Sequence, residues 1–176
     1  MRADAKTETG DFSGKAHLCL NRLNPKLFLF VMVHIHPKPK NDAEFLEVMA
    51  EIIFIAGFRW DLVHSRWPKI RKAFHNFDID KVANENLENS IKKEGMIKNR
   101  SKINAIIENA KICQEIIKKH KSISNWVKAI QKNNKKEPLF NPTVREEMRK
   151  FSKIGRTTSR WLAYVVTRDK RLLDED

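Results

Sequence analysis

The chain has 176 residues, 41% of them hydrophobic, with five glycines and six prolines. That suffices for one compact core and excludes a collagen-like or loop-dominated chain. Lys and Arg number 35 against 22 Asp and Glu, and the resulting +13 points to a polyanionic partner, nucleic acid or an acidic membrane. Cys19 and Cys113 form neither a disulfide framework nor a zinc-type pair, and His34 and His36 beside Pro37 are too few for a metal site. Free thiols and the absence of export features place the expected protein in the cytoplasm. The apolar run Leu27–Val33 is too short to span a bilayer, so no membrane is expected.

Residues 1–40 carry no sustained period and end at Pro37-Lys38-Pro39, which reads as a poorly ordered extension before a helical domain over 41–176. Asp42 is the expected N-cap of a first helix reaching Ala56, where Gly57 stops it. From Val48 to Phe58 only Glu51 is charged, which places this helix in the middle of the bundle. Glu51 has two readings: a pocket carboxylate with a raised pKa, or the end of a solvent stripe with Glu44 and Glu47. Val63, Trp67, Ile70, Phe74 and Phe77 form the stripe of the next helical stretch, with Pro68 expected to open a new segment. Asp78 and Asp80 are expected caps of a short helix, followed by Leu87 and Ile91 up to the Gly95 stop.

The longest helix is expected from Asn99 to Lys119, with Cys113 on its apolar side as a core thiol. Lys98, Arg100 and Lys102 at its start oppose the macrodipole, so they read either as phosphate ligands or as a solvated face. Ser122 or Ser124 is expected to cap a segment carrying Trp126, Val127 and Ile130, and 131–142 reads as a basic, mobile loop. Thr143-Val144-Arg145-Glu146 has the form of a capping box. Lys153-Ile154-Gly155-Arg156-Thr157 then turns between two helices, with Arg149, Lys150 and Arg160 nearby. It reads as a helix-hairpin-helix grip on DNA backbone, or as an ordinary glycine turn with a basic face. The expected fold is all-α, a compact helical bundle.

Ala56-Gly57-Phe58-Arg59-Trp60 delivers a tryptophan from a glycine turn, where it can stack on an extruded base or simply begin the core of its helix. With Phe74-His75-Asn76-Phe77-Asp78 and Gly95-Met96-Ile97-Lys98-Asn99-Arg100-Ser101-Lys102-Ile103, this block resembles the DNA-3-methyladenine glycosylase I family from about Phe45 to Val166. The resemblance implies excision of an alkylated purine from double-stranded DNA by a monomeric helix-hairpin-helix glycosylase. By the same resemblance Trp60, with Phe54 and Ile52, lines the base pocket, and Gly57 and Phe58 form the wedge that enters the duplex. Lys98, Arg100, Lys153, Gly155, Arg156 and Thr157 fall in the backbone-binding segments. Glu51, the one charge in the apolar run, is the candidate catalytic carboxylate; the family's pocket glutamate, eight residues before the tryptophan, is Ile52 here, and Glu51 beside it points about 100° away on a helix. The family's structural zinc is expected to be absent, since no Cys or His follows Gly155, and no other cofactor is expected.

Overall fold

The computed structural model describes residues 36–133 and 142–173; the expected N-terminal extension therefore lies almost wholly outside the described residues. Among them the α-helices are α1 (Asp42–Ile55), α2 (Trp60–Ala73), α3 (Ile79–Ala83), α4 (Leu87–Lys92), α5 (Arg100–His120), α6 (Ile123–Asn133), α7 (Pro142–Met148) and α8 (Arg156–Thr167). Short 3₁₀ turns lie at His75–Phe77 and Lys170–Leu173, and no strand occurs among the described residues.

The central position expected for α1 follows from its composition, since ten of its 14 residues are buried. Phe45, Leu46, Met49, Ile52, Ile53 and Phe54 are almost wholly withdrawn from solvent, and α1 packs against α2, α5, α6 and α8. Its N-cap is Asn41 rather than Asp42: the Asn41 amide oxygen accepts from Glu44 N–H at 2.8 Å, and the Glu44 carboxylate accepts from Lys40 N–H at 2.7 Å. Asp42 instead accepts from the backbone N–H of Ile123, tying the starts of α1 and α6 together.

Pro68 does not open a new segment. Helix α2 runs through it, although a proline cannot donate to the preceding turn. Two side chains flanking the proline hold the helix onto α1, because Trp67 Nε1 donates to Glu47 at 3.1 Å and Arg71 Nε lies 3.2 Å from the same carboxylate. The chain then makes a left-handed turn at His75, Asn76 and Phe77, whose φ angles are 53°, 55° and 60°. Glu85 braces it, accepting from Ser90 at 2.7 Å, from Lys93, and lying against His75. Of the two expected caps only Asp78 acts as one, accepting from Lys81 N–H at 3.0 Å; Asp80 lies inside α3 and accepts from Gln114.

Helix α5 is the long strut, packed against α1, α3, α4 and α6 and capped by Asn99, which accepts from Lys102 N–H. Cys113 is fully buried on its inner face, where burial and then Asp42 push its thiol pKa upward. Ser122, not Ser124, caps α6, accepting from Asn125 N–H at 3.1 Å. Two expectations fail beyond it: Gln131 to Asn133 continue α6, and α7 starts at Pro142, so Thr143 lies within its first turn rather than capping it. The remainder of the expected loop, 134–141, lies outside the described residues.

Candidate functional site

Helix α1 ends at Ala56, Gly57 takes φ 100°, and Phe58 N–H donates to the Ile55 carbonyl at 3.2 Å. A Cβ at Gly57 would meet no protein atom within 4 Å, so the positive φ, not crowding, selects glycine. The tight turn presents Phe58 and Trp60, both half-buried against the core edge. Trp60 begins α2 and stacks on His64, one turn later, with ring centroids 4.4 Å apart and planes inclined by 13°. Arg59 and Asp61 pair in the open beside it at 2.6 Å.

Glu51 is buried, with 6% of its surface exposed, so the solvent-stripe reading is overturned. The Glu44–Glu47–Glu51 stripe does exist, but it dips inward along the helix: Glu47 is held by Trp67 and Arg71, and Glu51 meets His36. Glu51 Oε2 lies 3.5 Å from His36 Nδ1, and His36 is 5% exposed. Burial, and then Glu47, raise the Glu51 pKa to about 7. Burial lowers that of His36 to about 4, helped by Arg168 and His64. At neutral pH the imidazole is therefore uncharged and the carboxyl is close to half-ionised. The His36 carbonyl accepts from Arg168, whose guanidinium lies over the Tyr164 ring, while His36 Nε2 is buried without a hydrogen-bond partner among the described residues. Two pairs, the Trp60–His64 stack and the His36–Glu51 contact, thus lie toward the end of α1 and the start of α2.

Other expected site residues fall elsewhere. Ile52 and Phe54 have no exposed surface; both face the core, and Phe54 packs edge-on against Trp67 at 6.3 Å. Neither presents surface to solvent, because α1 is buried on nearly all sides and turns them inward. Arg100 is exposed but engaged by Glu88 at 2.9 Å, and Lys102 is turned into the protein, where its ammonium donates to the carbonyls of Ile53, Phe54 and Ala56. Of the three cations at the start of α5, Lys98 is the one left exposed without a described ion pair.

The hairpin between α7 and α8 keeps Lys153, Gly155, Arg156 and Thr157 on the surface, with Arg149 and Lys150, whereas Arg160 is buried and leaves the expected basic group. Gly155 N–H is already used, donating to Thr158 Oγ1 at 2.8 Å, so the open N–H groups belong to the residues that follow it in α8. A Cβ at Gly155 would again meet nothing within 4 Å, which leaves the backbone there open to approach. Asn109, fully buried on α5, clasps the hairpin from below: its amide donates to the Ser152 carbonyl at 3.0 Å and accepts from Ser152 N–H at 2.7 Å. A separate cavity of about 320 Å³ lies by the starts of α1 and α6; its lining includes neither Trp60 nor Glu51.

A family model described as methyladenine glycosylase matches residues 36–163. The chain belongs to that family. Its all-α fold is similar to solved structures of 3-methyladenine DNA glycosylase I. One matches with a TM-score of 0.60 at 21% identity, covering 78% of this chain and 86% of that one. The Staphylococcus aureus protein matches at 0.62 and 15%, covering 85% and 88%. A solution structure matches at 0.58 and 23%, covering 78% and 84%. No curated protein matches the sequence.

Three residues have places that the sequence does not reveal. His36 offers there only a pair with His34 beside Pro37, too little for a site. Lys102 reads there as one of three cations at a helix start, a phosphate ligand or a solvated face. Asn109 did leave a trace, as the lone amide between Ile106-Ile107 and Ala110 on an apolar helix face. No helix of the described residues is long and apolar enough to cross a membrane. No group of three His, Cys, Asp or Glu side chains that could hold a metal occurs among them either.

Proposed function

We propose that the protein is a DNA N-glycosylase that hydrolyses the N-glycosidic bond of an alkylated purine such as 3-methyladenine. The observations that carry this are the Trp60–His64 stack and the buried His36–Glu51 pair, together with an open glycine turn and an exposed basic hairpin. One similar structure is described as a complex with 3-methyladenine. Hydrolysis at the sugar needs the base out of the helix stack, and Trp60 supplies an aromatic face to receive it. A 3-methylated adenine is cationic and leaves as the neutral base, while water adds hydroxide to the sugar carbon and gives up a proton. Glu51 in its ionised form stands ready to balance the cation and take that proton. The unpaired His36 Nε2 offers a hydrogen bond for a base edge, relieving a buried group that otherwise costs about 1–3 kcal/mol. Lys153, Arg156 and Lys98 supply contacts to the phosphates of double-stranded DNA, with the protein acting as a monomer and without a zinc site.

Incubation with methylated DNA and chromatography of the released bases tests this reading. Free methylpurine above a heat-treated control is expected, and its absence overturns the enzymatic reading. A second reading, a damage-binding protein without catalysis, draws on Ile52 at the family's glutamate position. Tight, salt-sensitive binding to abasic DNA with no base release favours it.

A further inference from the structure

The turn that carries Phe58 has a support that comes from a distant part of the chain. A helix ends with carbonyls that lack intrahelical partners and with a partial negative charge. Helix α1 has no basic residue in its own last turn. The cation is delivered instead by Lys102, from the first turn of α5, where it is unfavourable for α5 itself. Its Nζ donates to Ile53 O, to Phe54 O at 3.1 Å and to Ala56 O, and lies 5.0 Å from the centroid of the Phe58 ring. An ammonium has three donors, and three carbonyls take them, so none is left for a phosphate.

We infer that Lys102 is a positioning residue for the loop Ala56–Phe58: it closes the end of α1 and holds the Phe58 ring, by a cation–π contact, in the pose from which it enters the gap left by an extruded nucleotide. Gly57, open on its Cβ side and at φ 100°, offers the loop little resistance of its own to swinging away. Burial, and then Lys153, lower the Lys102 pKa to about 8, which still leaves it cationic at neutral pH. The inference rests on the glycosylase reading for the identity of the gap that Phe58 fills.

The test compares release of 3-methyladenine from a normal pair in duplex DNA with release from the same base left unpaired opposite a one-nucleotide gap. An unpaired base needs little help to leave the stack, so a defect in the wedge is largely bypassed there. Lys102→Met is expected to slow single-turnover release from the paired substrate about tenfold or more and from the unpaired one by no more than about twofold. Lys102→Arg, which keeps the donors, is expected to restore most of the rate. Phe58→Ala is expected to repeat the Met pattern, and the double variant to be no worse than either alone. Equal loss on both substrates, or no loss on either, overturns the proposal.

A second readout does not need base release. The fluorescence of 2-aminopurine placed opposite an abasic site is expected to rise when the wild-type protein binds and to stay low with Lys102→Met. If the wild type releases no base but still raises this signal through Lys102, the positioning role survives and the glycosylase reading falls. If it does neither, both fall. Should Lys102→Met fail to fold, Lys102→Gln repeats the comparison; failure of both to fold makes Lys102 a structural cap and also overturns the proposal.

Discussion

At the residue scale, Glu51 carries the proposed chemistry, and its burial sets stability against it. Its folded pKa, about 7, lies above the ordinary 4.5, so the folded protein holds a proton that the unfolded chain has already lost between those values. Folding is therefore weakened as pH rises from about 4.5 to 7, by at most about 3 kcal/mol for this group. His36 runs the other way, because its folded pKa of about 4 lies below 6.5 and stability grows as pH rises across that window. Glu51→Gln removes the first effect only. We expect the variant to melt higher than wild type at pH 8, with the advantage shrinking toward pH 5, as followed by thermal denaturation. Its base release should fall by about one to two decades, the loss expected of a charged hydrogen-bonding partner worth about 1.5–3 kcal/mol. The wild-type rate on a cationic base should climb through pH 7 while that of the variant stays flat; a parallel climb in both removes Glu51 from the mechanism. The sequence left Glu51 open between a pocket carboxylate and a solvent edge. Spacing alone fixes the stripe a residue occupies, whereas burial depends on what covers that stripe, and His36 belongs to no pattern that announces it.

At the element scale, the two glycine turns separate strain from crowding. Gly57 and Gly95 both have positive φ, but only at Gly95 would a Cβ collide, with Lys69 Cβ at 2.5 Å. Gly57→Ala is expected to cost about 1 kcal/mol from backbone strain alone, and Gly95→Ala distinctly more, about 2–3 kcal/mol, in urea unfolding. Equal costs contradict the contact between Gly95 and α2. Asn109→Ala should cost about 1–3 kcal/mol by the same measurement, since it removes both hydrogen bonds to the partly buried backbone of Ser152 and empties a fully buried position. Most helices were legible because apolar spacing and glycine stops are local signals. Pro68 misled because Trp67 and Arg71 reach Glu47 across 20 and more positions of chain, and such tertiary restraint leaves no mark in a window of sequence. The same holds for Lys102, which faces α1 while Lys98 and Arg100, the cations before it, are exposed.

At the scale of the whole molecule, a formal charge of +13 predicts salt-sensitive DNA binding whatever the fate of catalysis. Replacing Lys153 and Arg156 together by Ala should flatten the dependence of log affinity on log salt by about 2, with little effect on melting because both are exposed. An unchanged slope would take the hairpin out of the interface. All-α architecture and family were legible from ordered blocks of sequence, but the element that ties the Phe58 loop to the hairpin was not. That element is helix α5. Lys102 near its start bonds the end of α1, and Asn109, further along the same helix, bonds Ser152 of the hairpin. The two anchors lie seven positions apart on the helix, a rise of about 10 Å, or about three nucleotide steps along one strand. On the proposed reading the strut sets the spacing of two grips on DNA. One residue inserted between the two anchors would turn them about 100° apart in azimuth, leaving each grip intact but no longer in phase with one duplex.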